Sequence, residues 1–485
     1  MRRGRLLACA AAACALAPCS AAGAASGPTV TASPSLYPPF RSSTLDHTVR
    51  CKSDKSVRFS VDAPSGTRVA VGDRAPRGGS FTVSVRLAPG RAVVLRVVSS
   101  VRTRTHYVRC LPSDFPGWSV ERDGTPTARW YVATPSLNTV AAGYVAVFDT
   151  RGAPVWWMRG NPPPFNGELL PTGNLAWTKW VFSRAPLGHY EERALDGSLV
   201  RTYDTVGIHS NPHELQVLPN GHYLMVTYPA RDHVDLSRFG GPKDTTVLDG
   251  GIQELDSAGK LLWSWRTNGH IALAETKHWY PKLFKDKPVD LGNGRFAYDL
   301  AHANSVEDLG DRVIASFRHT DAVYEIDKAS GRILWKLGGT KTDERLKILD
   351  DPEGSHELGG QHDARSPDGG KTVTLYDNGT LRDRPPRALA FRIDPAKRTA
   401  RLVRSISFSK VTTSTCCGSA RRLPDGHWVV SWGNNPYVGE LTASGKPVLT
   451  LRFRAGRVSY RVDPVLAGRL SRTALRQGMD AGVAP

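Results

Sequence analysis

Two short segment types alternate along the chain from about residue 115, and this alternation constrains the fold more than any other feature. One type is an acidic residue, a turn and an apolar strand, often with tryptophan. It reads FDTRGAPVWWMR (148–159), ALDGSLVRTYDT (194–205), ELDSAGKLLWSWRT (254–267), EIDKASGRILWKLGG (325–339), FRIDPAKRTARLVRSIS (391–407) and ELTASGKPVLTLRF (440–453), which is six copies. The other type is strand, LPxG-like turn, strand: ELLPTGNLAWTKW (168–180), QVLPNGHYLMVTY (216–228), EDLGDRVIASFR (307–318), ARSPDGGKTVTLYD (364–377) and RRLPDGHWVVSWG (421–433). A sixth copy assembles from RWYVATPSLNTVAAGYVAVFD (129–149) and a C-terminal strand near 457–462. Two hairpins per repeat make four strands, and six four-stranded units predict a six-bladed β-propeller, which solves the sheet-edge problem by radial repetition. Pairing of the chain's end with its start closes the ring. Two stacked sandwiches leave the regular alternation of turn types unexplained.

The preceding segment has a different texture. Residues 46–112 alternate apolar and polar side chains, as in Val57-Arg58-Phe59-Ser60-Val61 and Phe81-Thr82-Val83-Ser84-Val85, between turns such as Pro64-Ser65-Gly66. That pattern predicts a small antiparallel β-sandwich. It carries no cluster of catalytic residue types and is read as accessory. The chain is therefore expected to be all-β: a signal peptide at 1–25, a Pro/Ser/Thr-rich linker at 26–45, the sandwich at 46–112, the propeller at 115–465 and a tail at 466–485.

The signal expectation rests on Arg2, Arg3 and Arg5, an alanine-leucine run and the small residues Ala22-Gly23-Ala24. Leu16-Ala17-Pro18-Cys19 is a poor lipoprotein box because of its proline, and no later stretch is apolar enough over about 18 residues to span a membrane. The protein is read as exported, secreted or associated with the cell envelope. Cys51 and Cys110 bracket the strand-rich segment and are expected to form a disulfide in an oxidising compartment. Cys416 and Cys417 are adjacent; packed thiols and a strained bond both remain open for them. Net charge is +19, or +16 without the three signal arginines, and it is spread rather than gathered into a nucleic-acid-binding arm. No CxxC spacing suggests zinc.

Three successive repeats open on histidine: His213 in HELQVLPNGHYLMVTY, His302 in HANSVEDLGDRVIASFR and His362 in HDARSPDGGKTVTLYDNG. If strands A to D run from axis to rim, the start of A and the end of B share one face, opposite the A–B turn. That face then gathers His213, His302 and His362 with Asn304, with Arg318 and Tyr228 at the ends of B strands, while Glu214 and Asp363 alternate away. The long connections 229–250, 268–301 and 338–361 open onto it, and long loops around a mouth commonly hold a site. Three histidines can bind a metal, but Arg318 repels a cation and favours an oxyanion. Imidazoles with arginine suit sulfuryl or phosphoryl transfer without a cofactor: one neutral ring attacks while cations stabilise the oxygens.

In PHELQVLPNG, HANSVEDLGDRVIASFRHTDAVYEID, RILWKLGG, GQHDARSPDGG and GSARRLPDGHWVVSWG, which span most of the repeat region, the chain resembles the bacterial arylsulfate sulfotransferase family, especially its secreted actinobacterial-type members. The resemblance implies a six-bladed propeller, often behind a β-sandwich. It implies transfer of a sulfuryl group from a phenolic sulfate ester to a phenol, through a sulfated histidine and without a nucleotide sulfate donor. By motif, His362 of GQHDAR matches the nucleophile; His213, His302, Asn304 and Arg318 match residues that hold the sulfuryl oxygens and assist the phenol. Tyr228 is expected to line the substrate site. Small-molecule donor and acceptor are the expected partners, with no nucleic acid, metal or cofactor. Two other readings compete: a non-catalytic propeller binding an anionic ligand or cell-envelope polymer, and, from WSWRT and LWKLGG, a quinoprotein-type propeller. The last lacks an acidic cluster for calcium.

Overall fold

Alternating burial builds the N-terminal sheets. In Ser56–Ala63, Val57, Phe59, Val61 and Ala63 are buried while the residues between them are exposed, the period of two that puts successive side chains on opposite faces. The computed structural model describes residues 27–52, 55–137, 143–180, 188–208, 210–354 and 358–482; the expected signal peptide lies outside them. A three-stranded sheet (Thr29–Ser33, Ser56–Ala63, Gly79–Arg86) and a five-stranded sheet (Leu36–Tyr37, Asp46–Val49, Thr103–Cys110, Ala92–Ser99, Thr67–Val71) form a sandwich. The stretch 26–45 is therefore not a plain linker. Thr29–Ser33 pairs antiparallel with the strand starting at Ser56, and Val30 and Leu36 enter the sandwich core. Its Pro/Ser/Thr composition hid two strands whose apolar residues are sparse. Cys51 and Cys110 are bonded in this core.

The remaining strands form six four-stranded blades around an axis. Blade 2 uses strands A to D at Pro164–Leu169, Leu175–Trp180, Gly188–Arg193 and Leu199–Tyr203; blade 3 at Ser210–Val217, Tyr223–Thr227, Gly251–Leu255 and Leu261–Arg266. Blade 4 uses Ala303–Asp308, Arg312–Phe317, Ala322–Asp327 and Ile333–Gly338; blade 5 uses His362–Arg365, Thr372–Asp377, Arg387–Asp394 and Thr399–Ile406. Blade 6 uses Ser419–Arg422, Trp428–Ser431, Tyr437–Leu441 and Pro447–Phe453, with Trp118–Arg122 as a fifth, outer strand. Blade 1 closes the ring. Its A strand is the C-terminal Val458–Val465, which pairs with Trp130–Leu137 ahead of Gly143–Asp149 and Pro154–Gly160. The A strands of blades 3, 4 and 5 begin within three residues of the histidines expected to open them.

Local chemistry explains both repeat signatures. In the A–B turns, Gly173, Gly221 and Gly426 sit at φ 85°, 84° and 89°, and each donates its N–H to the leucine three residues earlier. Only glycine adopts that left-handed conformation without penalty. In the C–D turns the acid is the closing element: Asp149 Oδ1 accepts from the N–H groups of Arg151 and Ala153, and Asp256 Oδ1 from those of Ala258 and Lys260. The tryptophans clasp neighbouring blades. Trp156 Nε1 donates to Leu195 O in the next blade, and Trp265 Nε1 to Gly331 O.

Two additions position the mouth. Residues between strands B and C of blade 3, and between blades 3 and 4, combine into an extra sheet (Ala230–Val234, Thr245–Leu248, Arg295–Asp299, Val289–Gly292) with the short helix Tyr280–Lys285. Residues 466–485, expected as a tail, contain the helix Arg472–Ala481, capped by Ser471. Its Arg476 bonds Asp46 of the sandwich at 2.8 Å, and its Asp480 accepts from Arg109 at 2.8 Å. No helix among the described residues is long and apolar enough to cross a membrane.

Candidate active site

Each A strand delivers a side chain at or just before its start on one face of the ring: Tyr460 from blade 1, Phe165 from blade 2, His213, His302 and His362 from blades 3, 4 and 5, and Cys417 ahead of blade 6. The ring centroids of His213 and His302 are 4.9 Å apart, and those of His302 and His362 are 6.4 Å apart. Tyr460 lies 5.5 Å from His213 and 6.3 Å from His362, stacks on Phe165 at 4.2 Å, and carries the Arg461 guanidinium 5.1 Å from its ring centre. Its ring thus neighbours both the histidines and a charged layer that holds Arg461.

The two carboxylates expected to alternate away from the site lie in that layer. Arg461 pairs with Glu214 at 3.2 Å and donates to the Asn304 carbonyl; Arg421 grips Asp363 at 2.8 and 2.9 Å, and Arg365 contacts both acids. The three arginines hold the Asp363 carboxyl well below its usual range against the effect of burial. Buried charges persist only when paired this well. Glu214 and Asp363 each follow a site histidine, so the layer ties together the strands that present them.

The histidines differ in what holds Nδ1. His362 Nδ1 donates to Gly360 O at 2.9 Å and Asn378 Oδ1 at 2.8 Å, which leaves the lone pair on Nε2. That Nε2 accepts the Cys417 N–H at 3.2 Å. His213 Nδ1 faces the neutral amide oxygen of Asn211. His302, at φ 55°, turns Nδ1 onto Asp299 Oδ2 at 2.5 Å. Burial pushes His213 and His362 well below the usual histidine range; neighbouring His302 and His362 add to this at His213, and Arg318 and His302 at His362. Both rings stay neutral at physiological pH.

Arg318 opens a short 3-10 turn directly after strand B of blade 4. Its guanidinium lies on the Trp279 face at 4.3 Å, donates to Thr415 O, and donates through Nη1 to His319 Nε2 at 2.6 Å. Burial lowers its pKa to about 10, so it remains a cation at neutral pH. Asn304 is fully buried; its Nδ2 donates to the Gln361 carbonyl at 2.8 Å, bracing the residue before His362. Tyr228 lies parallel to His213 at 6.0 Å and donates to Ala303 O at 2.9 Å. All six sequence-chosen mouth residues thus fall in one cluster. Sequence reasoning missed Tyr460, Asp299, Trp279, His319, Asn378 and Cys417. His319 carried a nearby signal as the neighbour of Arg318, Trp279 and Asp299 lie in the connection 268–301 expected at the mouth, and Cys417 belongs to the adjacent cysteine pair.

Cys416 and Cys417 form a disulfide between adjacent residues, and the segment Ser414–Cys417 touches Arg318, His362 and Asn378. Asp299, His302 and His319 offer ligand atoms within 4.8 Å of one another. Those atoms already serve one another and Arg318, and a cation among them would face the guanidinium. The donor set suits an oxyanion better.

No curated protein matches the sequence. Among solved structures, a Bacteroides caccae protein of unknown function shares 12% identity over 70% of this chain and 99% of its own, with a TM-score of 0.41. A putative 6-phosphogluconolactonase from Bacteroides fragilis shares 12% identity over 85% and 98%, with a TM-score of 0.32. The calcium-binding protein regucalcin from Agrobacterium tumefaciens shares 12% over 59% and 73%, at 0.31. Likenesses this distant carry no functional argument. The model of the arylsulfotransferase (ASST) family, in contrast, matches residues 192–454, more than half of the chain and four of the site-bearing blades. The chain belongs to the arylsulfotransferase family.

Proposed function

We propose that the protein moves a sulfuryl group from a phenolic sulfate ester to a phenol by a ping-pong route through a sulfohistidine on His362, with no nucleotide sulfate donor. The observation that carries this reading is the state of His362. Its Nδ1–H is fixed by two oxygens, its ring is kept neutral by burial and by Arg318, and its Nε2 carries the lone pair, which accepts the Cys417 N–H at 3.2 Å and must exchange that bond for sulfur. A neutral imidazole forms the N–S bond while the S–O bond to the aryl group breaks, and the electron pair leaves on the phenolic oxygen. Arg318 stabilises the sulfuryl oxygens as charge develops. Asn304 and Tyr228 shape the substrate side, and Phe165 and Tyr460 supply aromatic surface for the aryl ring. In the second half-reaction an acceptor phenol attacks sulfur and returns the pair to Nε2.

The protein acts outside the cytoplasm on this reading; the Cys51–Cys110 bond fits an oxidising compartment. The test is turnover of p-nitrophenyl sulfate with and without phenol, with no cofactor added. Release of p-nitrophenolate that depends on phenol is expected. Equal release without phenol means hydrolysis, and no release leaves the site to a binding role; either outcome overturns the proposal.

A further inference from the structure

Three histidines face the reacting centre, and one of them, His302, rests its Nδ1 on a carboxylate. Asp299 ends the strand Arg295–Asp299 of the extra sheet, outside the blades altogether. Its Oδ1 accepts the His302 backbone N–H at 3.0 Å, its Oδ2 accepts the His302 Nδ1–H at 2.5 Å, and its carbonyl accepts the His319 Nδ1–H at 2.6 Å. One residue therefore sets the ring orientation of two histidines, whose centroids lie 4.8 Å apart. With Nδ1 committed, His302 keeps Nε2 for the reaction, and its ring has His213, His362 and Tyr228 as neighbours, with centroids 4.9, 6.4 and 5.7 Å away. The Asp299 side chain is 11% exposed, so water screens its charge only slightly.

We propose that Asp299 is a positioning residue that makes His302 the proton carrier of the transfer, a role that rests on the sulfuryl-transfer reading above. The contrast with the other rings supports this assignment. His362 is needed as a neutral nucleophile, and His213 Nδ1 faces the Asn211 amide oxygen. An imidazolium on His302 forms directly against the Asp299 carboxylate. In the first half-reaction His362 Nε2 bonds sulfur, the S–O bond breaks, and the departing phenolate takes the Nε2 proton of His302, which becomes neutral. In the second, the acceptor phenol gives its proton to His302 Nε2 as its oxygen bonds sulfur, and the S–N pair returns to His362. Each cycle restores the starting protonation.

A proton carrier matters most for a poor leaving group, which is what separates this role from a structural one. The test measures donor kcat/KM for a series of aryl sulfates from p-nitrophenyl to unsubstituted phenyl, with one acceptor in excess. In Asp299→Asn the loss with phenyl sulfate is expected to exceed the loss with p-nitrophenyl sulfate by about tenfold or more, within the ~10²–10⁴ range of general-acid contributions. His302→Gln should show the same tilt, and the double variant should lose no more than the worse single one. An equal loss across the series, or additive losses, would overturn the inference. If Asp299→Asn fails to fold, judged by its thermal unfolding, the tilt in His302→Gln alone decides the carrier, and Asp299→Glu decides the anchor by restoring the slope or not. A wild-type enzyme that turns over no donor contradicts the functional reading itself; turnover with a flat response in the variants contradicts only this inference.

Discussion

His362, His302 and His213 are one residue type in one register, yet each has a different Nδ1 partner and so a different environment. At His362 two neutral oxygens orient the ring while burial and the Arg318 charge keep it unprotonated. Its depressed pKa means the free base persists as pH falls below 6.5, where an unperturbed histidine would be half protonated. The acid limb of kcat/KM is accordingly expected below pH 6.5, and a midpoint at or above 6.5 in the pH–rate profile would contradict this environment. Arg318 is held by its fork and by stacking on Trp279, so charge alone does not replace it. Arg318→Lys is expected to lose about tenfold or more in kcat/KM, and wild-type kinetics in that variant would remove Arg318 from the machinery. The three histidines, Asn304, Arg318 and Tyr228 were legible in the sequence because the repeat fixes their register. Asp299 and Trp279 were legible only as members of the connection 268–301 expected at the mouth, because no local pattern singles them out within it. Tyr460 was hidden differently: it lies in the closing strand, far in sequence from the blade it completes.

At the scale of elements, turn chemistry carried most of the information. The left-handed glycines of the A–B turns and the aspartates that close most of the C–D turns are strict local demands, so they mark hairpins even where the strands differ; in blade 6 Thr442 takes the aspartate's place. The two strands within 26–45 and the helix after 466 answer to tertiary pairing and left little trace in composition. The closing strand makes its own prediction. Val458–Val465 occupies the axial position of blade 1 and pairs with Trp130–Leu137. Removing residues 457–485 would strip that strand of its partner, expose an unpaired edge and remove Tyr460. The truncated protein is expected to aggregate or to lose its single cooperative thermal transition; a truncated protein melting like the full chain would mean that the ring closes some other way.

At the scale of the molecule, the sandwich and the propeller divide the labour. The sandwich core holds the Cys51–Cys110 bond and shares no residue with the histidine cluster, while the helix Arg472–Ala481 links the two bodies through Asp46 and Arg109. The bond spans 59 residues of sequence, so its loss is expected to cost about 2–4 kcal/mol. A Cys51→Ala, Cys110→Ala double variant should show that loss in denaturant unfolding while keeping kcat within about twofold. A large fall in kcat with the sandwich still folded would show that it does more than accompany the site.

The central claim is that sulfur bonds transiently to His362, and mass spectrometry after brief incubation with an aryl sulfate and no acceptor tests it most directly. The account predicts a sulfuryl adduct on the peptide that contains His362, discharged by added phenol and lost in His362→Asn. An adduct on the peptide of His213 or His302 instead, or turnover with no covalent adduct at any time, would contradict it.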